Sequence, residues 1–394
     1  MSKQFVIIGS SAAGIATMNK LSQLVPDAAI TCVTAEFEQP YNKCLLADYL
    51  AGIKQEQELF LHTVLHKNKN IRLLQSRVQS INVMQNNIVC ENNKQIAYDA
   101  LLIGTGSSPY IPSFIKENWP PGVFTFHSLA DNNKLLDYIK THRVRNAIII
   151  GGGLSGVECA DALQKKGIEV TIIERSQRLL AQFLDDDGSE FLKQKILAVQ
   201  GKVFCNQTVN SITNTIKGSI QVDLADGSCL NSNLVILATG LRPNIQMPQD
   251  AGIGVNNYGI IVNETLQTSI PNIYAAGDVI AVKNTLTGQI LNSCTWPDAM
   301  LQGLHAAHNM AGIPKSYVGA AIVVSSSFFG MSIAQAGFTN LQTEDDRIII
   351  KKGNDYYQRF IVRADRLIGF SVLGNCHNLG DLRRSILTGQ SFTP

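Results

Sequence analysis

Residues 5–14 read Phe5-Val6-Ile7-Ile8-Gly9-Ser10-Ser11-Ala12-Ala13-Gly14, and residues 147–156 read Ala147-Ile148-Ile149-Ile150-Gly151-Gly152-Gly153-Leu154-Ser155-Gly156. Each stretch is a short apolar run that ends in glycines and small residues, and a helical pattern follows it. A short apolar run bounded in this way predicts a buried strand. Both stretches therefore predict a strand, a tight turn and a helix.

A glycine-rich turn between a strand and a helix is typical of a phosphate-binding site, because the free N–H groups and the dipole at the helix start attract anions. The first glycine makes the turn, the second lets a pyrophosphate approach, and the third lets helix and strand pack closely. The three positions are Gly151, Gly153 and Gly156 in the second copy and Gly9, Ser11 and Gly14 in the first. Ser11 departs from the pattern but is small.

An acidic residue follows the next predicted strand in both copies, Glu36 after residues 30–35 and Glu174 after residues 169–173. A carboxylate at this place accepts hydrogen bonds from the adenosine ribose and repels a 2′-phosphate. Glu174 therefore favours NADH over NADPH. Arg175 and Arg178 leave phosphate binding open, with solvation as their alternative role.

The two copies stay similar further along the chain. Short strands broken by turns are predicted in residues 78–98 and again in residues 209–230, where one turn is at Lys217-Gly218. They lead into apolar runs that end in Gly-Thr-Gly at residues 104–106 and Ala-Thr-Gly at residues 238–240. Two dinucleotide-binding units on one chain are the simplest interpretation.

The remaining chain predicts a helix at residues 298–310 and a change of pattern from about Gly319. Three antiparallel strands and a short helix are predicted there, at Arg347–Lys351, Tyr356–Val362, Leu367–Leu373 and near Leu382–Leu387. We interpret these elements as a small third domain.

The composition predicts a well-packed globular protein. The chain has 394 residues, of which 45% are hydrophobic and 16% are charged, so two or three domains are expected. The net charge of +2 argues against nucleic acid as a partner. Arg383 and Arg384 would suit an acidic carrier protein, although a solvated helix face is the simpler interpretation.

The location predicted for the chain is the cytoplasm. The N-terminus leads directly into a strand pattern rather than a signal peptide, and no apolar stretch reaches the roughly 18 residues of a membrane span. The eight cysteines include no Cys-x-x-Cys pair. This spacing argues against structural zinc and disulfides and suits a reducing compartment.

Together these motifs resemble the FAD-dependent pyridine nucleotide-disulfide oxidoreductases over residues 1 to about 318. Residues 274–278, Tyr-Ala-Ala-Gly-Asp, are similar to the second FAD motif of that family, whose aspartate holds a ribityl hydroxyl. The triplets ending at Gly106 and Gly240 resemble its ATG-type motifs. The resemblance implies a glutathione-reductase-like α/β fold, with two Rossmann-like dinucleotide-binding domains and a small α+β C-terminal domain.

The resemblance also implies the domain order and the cofactor contacts. A FAD-binding domain of residues 1–110 and 241–318 would receive the NADH-binding domain, residues 111–240, as an insertion, and residues 319–394 would follow. Trp296 would pack near the flavin or else belong to the core. The residues expected to contact FAD or NADH are Gly9, Ser11, Ala13, Gly14, Glu36, Lys43, Val78, Thr105, Gly106, Gly277, Asp278, Trp296, Gly151, Gly153, Gly156, Glu174 and Gly240.

Within the family, the absence of paired redox cysteines excludes the glutathione and thioredoxin reductase subgroups. The remaining group contains rubredoxin and ferredoxin reductases, NADH oxidases, coenzyme A disulfide reductases and the flavin half of nitrite reductases. Residues 40–52 match the carrier reductases at some positions and the oxidases and disulfide reductases at others. Tyr41, Lys43 and Leu46 match the carrier reductases, whereas Cys44 aligns with the redox-active cysteine of the oxidases and disulfide reductases.

Cys44 has two possible roles. A lysine neighbour and the start of a helix are the surroundings that activate thiols, and a thiolate could form a mixed disulfide or a sulfenic acid. The alternative is a small buried hydrophobe in place of a proline. Leu45 departs from the glycine that usually follows the redox-active cysteine.

Glu158 matches a family position near the nicotinamide, and Lys43 is its candidate partner because Asp48 replaces the usual lysine. A first-turn helix glutamate favoured by the dipole is the alternative. The expected catalytic residues are Cys44, Lys43 and Glu158. His305 and His308 lack further ligands, so no metal is expected.

The expected function is hydride transfer from NADH to the flavin and electron transfer to a small redox carrier such as rubredoxin or a ferredoxin, because the third domain is short. The first alternative is an NADH oxidase or coenzyme A disulfide-like reductase that uses Cys44. The second is a flavin-bound redox-sensing scaffold. The chain could be a monomer or a homodimer.

Overall fold

The computed structural model describes residues 2–63, 68–115, 119–215, 218–292, 295–374 and 378–393. The α-helices are α1 Ala12–Leu24, α2 Leu46–Ala51, α3 Leu129–His142, α4 Leu154–Lys165, α5 Asp186–Ala198, α6 Gln246–Asp250, α7 Trp296–Met310 and α8 Leu379–Thr388. The strands are β1 Gln4–Ile8, β2 Ala29–Thr34, β3 Ile71–Gln75, β4 Val78–Asn82, β5 Asn87–Cys90, β6 Gln95–Ala97, β7 Ala100–Ile103, β8 Ser107–Pro109, β9 Val123–Thr125, β10 Asn146–Ile150, β11 Glu169–Ile173, β12 Lys202–Phe204, β13 Val209–Asn214, β14 Ile220–Leu224, β15 Cys229–Ser232, β16 Leu234–Leu237, β17 Leu241–Pro243, β18 Val255–Asn256, β19 Gly259–Ile260, β20 Ile273–Ala275, β21 Val282–Lys283, β22 Ile290–Leu291, β23 Val323–Phe328, β24 Met331–Gly337, β25 Asp346–Lys352, β26 Tyr356–Arg363 and β27 Arg366–Gly374.

The chain forms two compact units. Unit 1 consists of Met1–Cys44, Gln57–Ser108 and Arg242–Ile322, and unit 2 of Leu45–Glu56, Pro109–Leu241 and Val323–Pro394. Residues 45–56 belong to unit 2 because Leu50, on α2, lies in its core. The division into FAD-binding, NADH-binding and C-terminal domains by function stays a prediction.

Unit 1 is built on a five-stranded sheet with the order β20-β7-β1-β2-β3. All its strand pairs are parallel, with β1 between β2 and β7. The strand β1 is buried almost throughout, which explains its continuous apolar run, because both faces of a parallel sheet are covered. A three-stranded antiparallel sheet, β4-β5-β6, lies between β3 and β7 in the chain.

Unit 2 repeats this arrangement. Its parallel sheet has the order β12-β11-β10-β16-β9, with β10 between β11 and β16, and its antiparallel sheet is β13-β14-β15. The duplication and the Rossmann-like α/β fold class are therefore confirmed. Of the expected turn at Lys217-Gly218, Lys217 lies outside the described residues.

A five-stranded antiparallel sheet, β23-β24-β27-β26-β25, completes unit 2. The three strands predicted within residues 347–373 are confirmed, with every end within one residue of the prediction, and α8 starts three residues before the predicted helix. Phe328, Tyr357 and Leu373 of this sheet share one core with residues of the parallel-sheet layer. Tyr357 also donates its hydroxyl to the carboxylate of Asp185, at 2.7 Å from Oδ2.

In the part of the chain that the structure describes, no helix combines the length and the apolar character needed to cross a membrane.

Candidate cofactor sites

The glycines at the ends of β1 and β10 have matching geometry. Gly9 has a φ of +104°, and a Cβ there would lie 2.1 Å from the oxygen of Gly104. Gly151 has a φ of +114°, and its Cβ would lie 2.1 Å from the oxygen of Ala238. The third glycines, Gly14 and Gly156, would place a Cβ 1.9 Å and 2.0 Å from the oxygens of the first ones. A side chain at any of the four positions would collide with backbone.

The helices that follow these turns begin without a side-chain cap. Ser11 precedes α1 and Gly153 precedes α4, and neither helix has an acidic residue in its first turn. By contrast, Ser128 caps α3 and Asp185 caps α5. The first N–H groups of α1 and α4 therefore need another acceptor, and a pyrophosphate is the group that this arrangement fits.

Space at the turns also fits a dinucleotide. A Cβ at Gly153 would meet no atom within 4 Å, and the same holds for Gly106 and Gly240, which end the two triplets. Both have a positive φ, +63° and +107°. These positions are open, in contrast to the crowded first and third glycines.

Backbone N–H groups hold the carboxylate of Glu174. Its Oε2 accepts from the N–H of Gly152 and its Oε1 from the N–H of Ser176, each at 2.6 Å. The carboxylate is therefore fixed beside the glycine turn. Arg178 donates to the carboxylate of Asp186 and to the oxygen of Leu184, whereas Arg175 is exposed.

Glu36 follows β2 and lies beside Lys43. Lys43 Nζ is 2.8 Å from Glu36 Oε1. Thr34 Oγ1 accepts from the backbone N–H of Glu36 at 3.2 Å and from the hydroxyl of Ser10 at 3.0 Å. The end of β2 is thus tied to the first glycine turn within unit 1.

The structure brings together the two expected flavin motifs of unit 1. Ser107, directly after the Gly-Thr-Gly triplet, donates its hydroxyl to Asp278 Oδ2 at 3.1 Å. Asn244 donates its Nδ2 to the oxygen of Thr105 at 2.8 Å. Sequence reasoning missed both Ser107 and Asn244, although Ser107 is adjacent to the triplet and could have been found from it.

In unit 2, the second triplet is held differently. Thr239 donates its hydroxyl to the oxygen of Tyr110 at 2.6 Å.

In unit 1, Val78 begins β4 and Trp296 begins α7, and both are half-buried against the hydrophobic core. Contact of either residue with FAD stays a prediction.

Cys44 lies in a short 3-10 turn, Lys43–Leu45, directly before α2. Its side chain is exposed, and its backbone N–H donates to Asn42 Oδ1 at 3.0 Å. The interpretation of Cys44 as a small buried hydrophobe is therefore wrong. The exposed position suits a thiol that meets a substrate.

Glu158 is the fifth residue of α4 and is half-buried. The first-turn interpretation is wrong, because α4 starts at Leu154. The hydroxyl of Ser326, on β23, donates to Glu158 Oε1. Burial raises the pKa of Glu158, the Ser326 hydrogen bond lowers it, and Asp48 and Asp161 raise it.

The expected pairing of Lys43 with Glu158 stays a prediction. The partners that the structure gives are Glu36 for Lys43 and Ser326 for Glu158. Sequence reasoning missed Ser326 because it did not predict β23.

Comparisons with known proteins agree with this geometry. A family model described as "Pyridine nucleotide-disulphide oxidoreductase" matches residues 3–311. The chain is similar to an NADH oxidase of Methanocaldococcus jannaschii, at 32% identity over 88% of this chain and 79% of that protein. It is also similar to the NAD(P)H coenzyme A polysulfide/persulfide reductase of Pyrococcus horikoshii, at 29% identity over 93% of this chain and 81% of that protein.

A solved structure shares the fold. It is a ferredoxin reductase from Rhodopseudomonas palustris, with a TM-score of 0.89 at 22% identity, covering 100% of this chain and 96% of that one. FAD and NADH are the cofactors of the family, as expected from the two glycine turns. The chain is an oxidoreductase and belongs to the pyridine nucleotide-disulphide oxidoreductase family.

Proposed function

We propose that this oxidoreductase uses NADH and FAD to reduce a small disulfide or persulfide through Cys44. The observation that carries the proposal is the exposed thiol of Cys44 in the turn after Lys43, within the unit that holds the FAD motifs. The proposal differs from the function expected first from the sequence, because a carrier reductase has no need for an exposed thiol at this position.

The named relatives support this choice. One is an NADH oxidase and another is a coenzyme A polysulfide/persulfide reductase. For this chain we propose a small disulfide or persulfide as substrate, because a thiolate reacts with such sulfur atoms directly.

The reduction of a disulfide by Cys44 balances in atoms and electrons with NADH as the only reductant. The Cys44 thiolate attacks one sulfur of a disulfide RS–SR, forms a Cys44–SR mixed disulfide and releases RS⁻. Two electrons and two protons then return Cys44 to the thiol and release RSH. FAD, when bound, supplies the two electrons that NADH provides.

The NADH side of the proposal rests on unit 2. The uncapped start of α4 would bind the pyrophosphate, and the carboxylate of Glu174 would bind the adenosine ribose. Because Gly152 and Ser176 hold that carboxylate, it stays beside the glycine turn and repels a 2′-phosphate. NADH is thus the proposed nucleotide.

The test is a Cys44→Ser variant, with Cys229→Ser as the control because Cys229 is an exposed thiol in unit 2. We expect Cys44→Ser to lose disulfide-dependent NADH oxidation by at least about a hundredfold while NADH-dependent dye reduction continues. Cys229→Ser should keep both activities. Unchanged disulfide reduction in Cys44→Ser would exclude the proposed role.

The second candidate is electron transfer to a small redox carrier protein. It is favoured by the match of Tyr41, Lys43 and Leu46 to the carrier-reductase pattern, and the ferredoxin reductase with the same fold agrees with it. If the wild type does not reduce disulfides, and both it and Cys44→Ser reduce rubredoxin or a ferredoxin equally fast, this candidate replaces the first.

A further inference from the structure

A buried polar network lies behind the Gly277-Asp278 motif of unit 1. Asp298 and Gln302 are one turn apart on α7, and Gln302 is completely buried. Gln302 Nε2 donates to Asp298 Oδ2 at 2.7 Å, and the hydroxyl of Tyr317 donates to Asp298 Oδ1 at 2.7 Å. The backbone N–H of Gly277 donates to Gln302 Oε1 at 2.7 Å. The network therefore ends on the residue before Asp278.

The network fixes which way the Gln302 amide points. A carboxylate only accepts hydrogen bonds, so the Nε2 of Gln302 must face Asp298 and its Oε1 must face Gly277. Burial and the neighbouring Asp298 raise the pKa of Tyr317, so its hydroxyl remains a donor. Both carboxylate oxygens of Asp298 therefore accept hydrogen bonds, one from Gln302 and one from Tyr317. The Gln302 amide consequently has one favoured orientation.

The next residue of α7 contacts the other FAD motif. A Cβ at Gly303 would lie 2.3 Å from the oxygen of Ala13, which follows the first glycine turn. Thr17, on α1, donates its hydroxyl to the oxygen of Gly303 at 2.9 Å. Gln302 and Gly303 therefore join α7 to both motifs.

Buried polar groups cost free energy unless each is paired. A fully paired network specifies one arrangement of the chain. Here the arrangement that it specifies is the turn at Gly277, whose φ is +85°, and hence the position of Asp278.

We propose that Gln302 is a positioning residue for FAD, oriented by Asp298 and Tyr317, and that it holds the Gly277-Asp278 turn in the form that receives the ribityl chain. The inference rests on the proposed FAD contacts of unit 1. It adds three residues to that site that do not themselves touch the cofactor.

The test uses Asp298→Asn, which keeps the shape of the side chain but replaces one of its two acceptor oxygens by a donor, so that position 298 can no longer accept from both Gln302 and Tyr317. The matched control is Asp250→Asn. Asp250 accepts from Gln246 Nε2 at 2.7 Å across the same four-residue spacing on α6, in unit 1, but at an exposed site. Tyr317→Phe is a second change, which removes one donor to Asp298 and one acceptor of Gln302 Nε2.

Three quantities are measured on flavin-free protein. They are the melting temperature, the dissociation constant for added FAD, and hydrogen exchange of the peptide containing Gly277. We expect Asp298→Asn to weaken FAD binding about tenfold and to speed exchange at Gly277 in protein that still melts cooperatively. Tyr317→Phe should act in the same direction but less strongly, and Asp250→Asn should match the wild type.

The inference is overturned if Asp298→Asn and Tyr317→Phe fold and bind FAD as tightly as the control. It is also overturned if Gly277 exchanges equally slowly in all variants. A wild type that binds no FAD would instead remove the proposed function itself, so the two failures are distinguishable.

Discussion

Cys32 and Cys44 are the same side chain in opposite surroundings. Cys32 is buried in β2, and burial raises the pKa of its thiol to about 12. Burial also raises the pKa of Cys159. Cys44, in contrast, is exposed, and only a thiolate reacts at a useful rate.

Thiol labelling of the native protein tests this contrast. With a limiting amount of iodoacetamide near neutral pH, we expect Cys44 and the exposed Cys229 to be alkylated and Cys32 and Cys159 to remain unmodified. Peptide mass spectrometry identifies the labelled sites, and unfolded protein is the control in which all four react. Alkylation of native Cys32 as fast as Cys44 would contradict the structure.

Glu158 should make stability depend on pH. Its pKa in the folded protein is raised above the usual 4.5, so the folded state binds more protons than the unfolded state between the two values. The contribution of Glu158 to stability is then fully present below about pH 4.5 and is lost as pH rises through the raised value.

Glu158→Gln tests this dependence because glutamine still accepts a hydrogen bond from Ser326. We expect the variant to gain melting temperature relative to the wild type as pH rises from 4.5, and to lose that advantage in acid. If the melting temperatures of the two proteins change equally with pH, the pKa of Glu158 is not raised in the folded protein.

At the residue scale, sequence alone identified what local chain geometry determines. Gly9, Gly151 and Glu174 were found because a turn and the next strand end lie within one strand-turn-helix unit. Ser107 and Asp278 are 171 positions apart, and no local pattern indicates that they meet. The same holds for Gln302 and Gly277, which depend on how α7 packs.

At the element scale, the helix α7 has a steric constraint that can be measured. A Cβ at Gly303 would lie 2.3 Å from the oxygen of Ala13 and 3.0 Å from the Cβ of Ala16. We expect Gly303→Ala to destabilise the protein by about 2 kcal/mol, as overpacking does, despite the better helix propensity of alanine.

Gly380→Ala is the matched control for this change. Gly380 also lies in a helix, α8, but a Cβ there would meet no atom within 4 Å. The free energy of unfolding from urea titration should stay equal or rise in this variant. An equal loss in both variants would show that the contact between α1 and α7 is not the cause.

Several elements were missed for identifiable reasons. The strand β23 contains Ser325-Ser326-Ser327, which has little strand character, and its hairpin turns at Phe329-Gly330 with both residues at positive φ. Phenylalanine is not a residue that signals such a turn. The helix α3 begins with a Ser128 capping box, but residues 131–133 are poor helix formers.

At the scale of the whole molecule, the main feature is the duplicated phosphate-binding turn. We expect a substitution in one copy to abolish binding of the cofactor of that copy alone. Gly153 precedes α4 with ordinary backbone geometry and open space. We expect Gly153→Asp to cap the helix and to add only about 0.3 kcal/mol of stability, because glycine already caps helices nearly as well as aspartate. The new carboxylate would repel the pyrophosphate and remove NADH binding.

The reciprocal change is Ser11→Asp at the start of α1. It should remove FAD uptake while NAD binding to unit 2 persists. Isothermal titration with FAD and with NAD measures both. Loss of both ligands in either variant would contradict two separate sites.

Fold and family were predictable at this scale because the same motif occurs twice with the same order of strands around it. The grouping of the C-terminal sheet with unit 2 was not predictable. It depends on a core shared by residues distant in sequence, such as Leu184 and Leu373, and pattern alone does not show which apolar faces meet.

The central claim is that one chain carries a FAD site and an NADH site that exchange reducing equivalents. It is tested most directly by the absorbance of the purified protein during anaerobic titration with NADH. We expect a yellow protein with one FAD per chain, whose flavin absorbance is lost on addition of one equivalent of NADH. A protein that retains no FAD on reconstitution, or whose flavin absorbance stays unchanged with excess NADH, would contradict the claim.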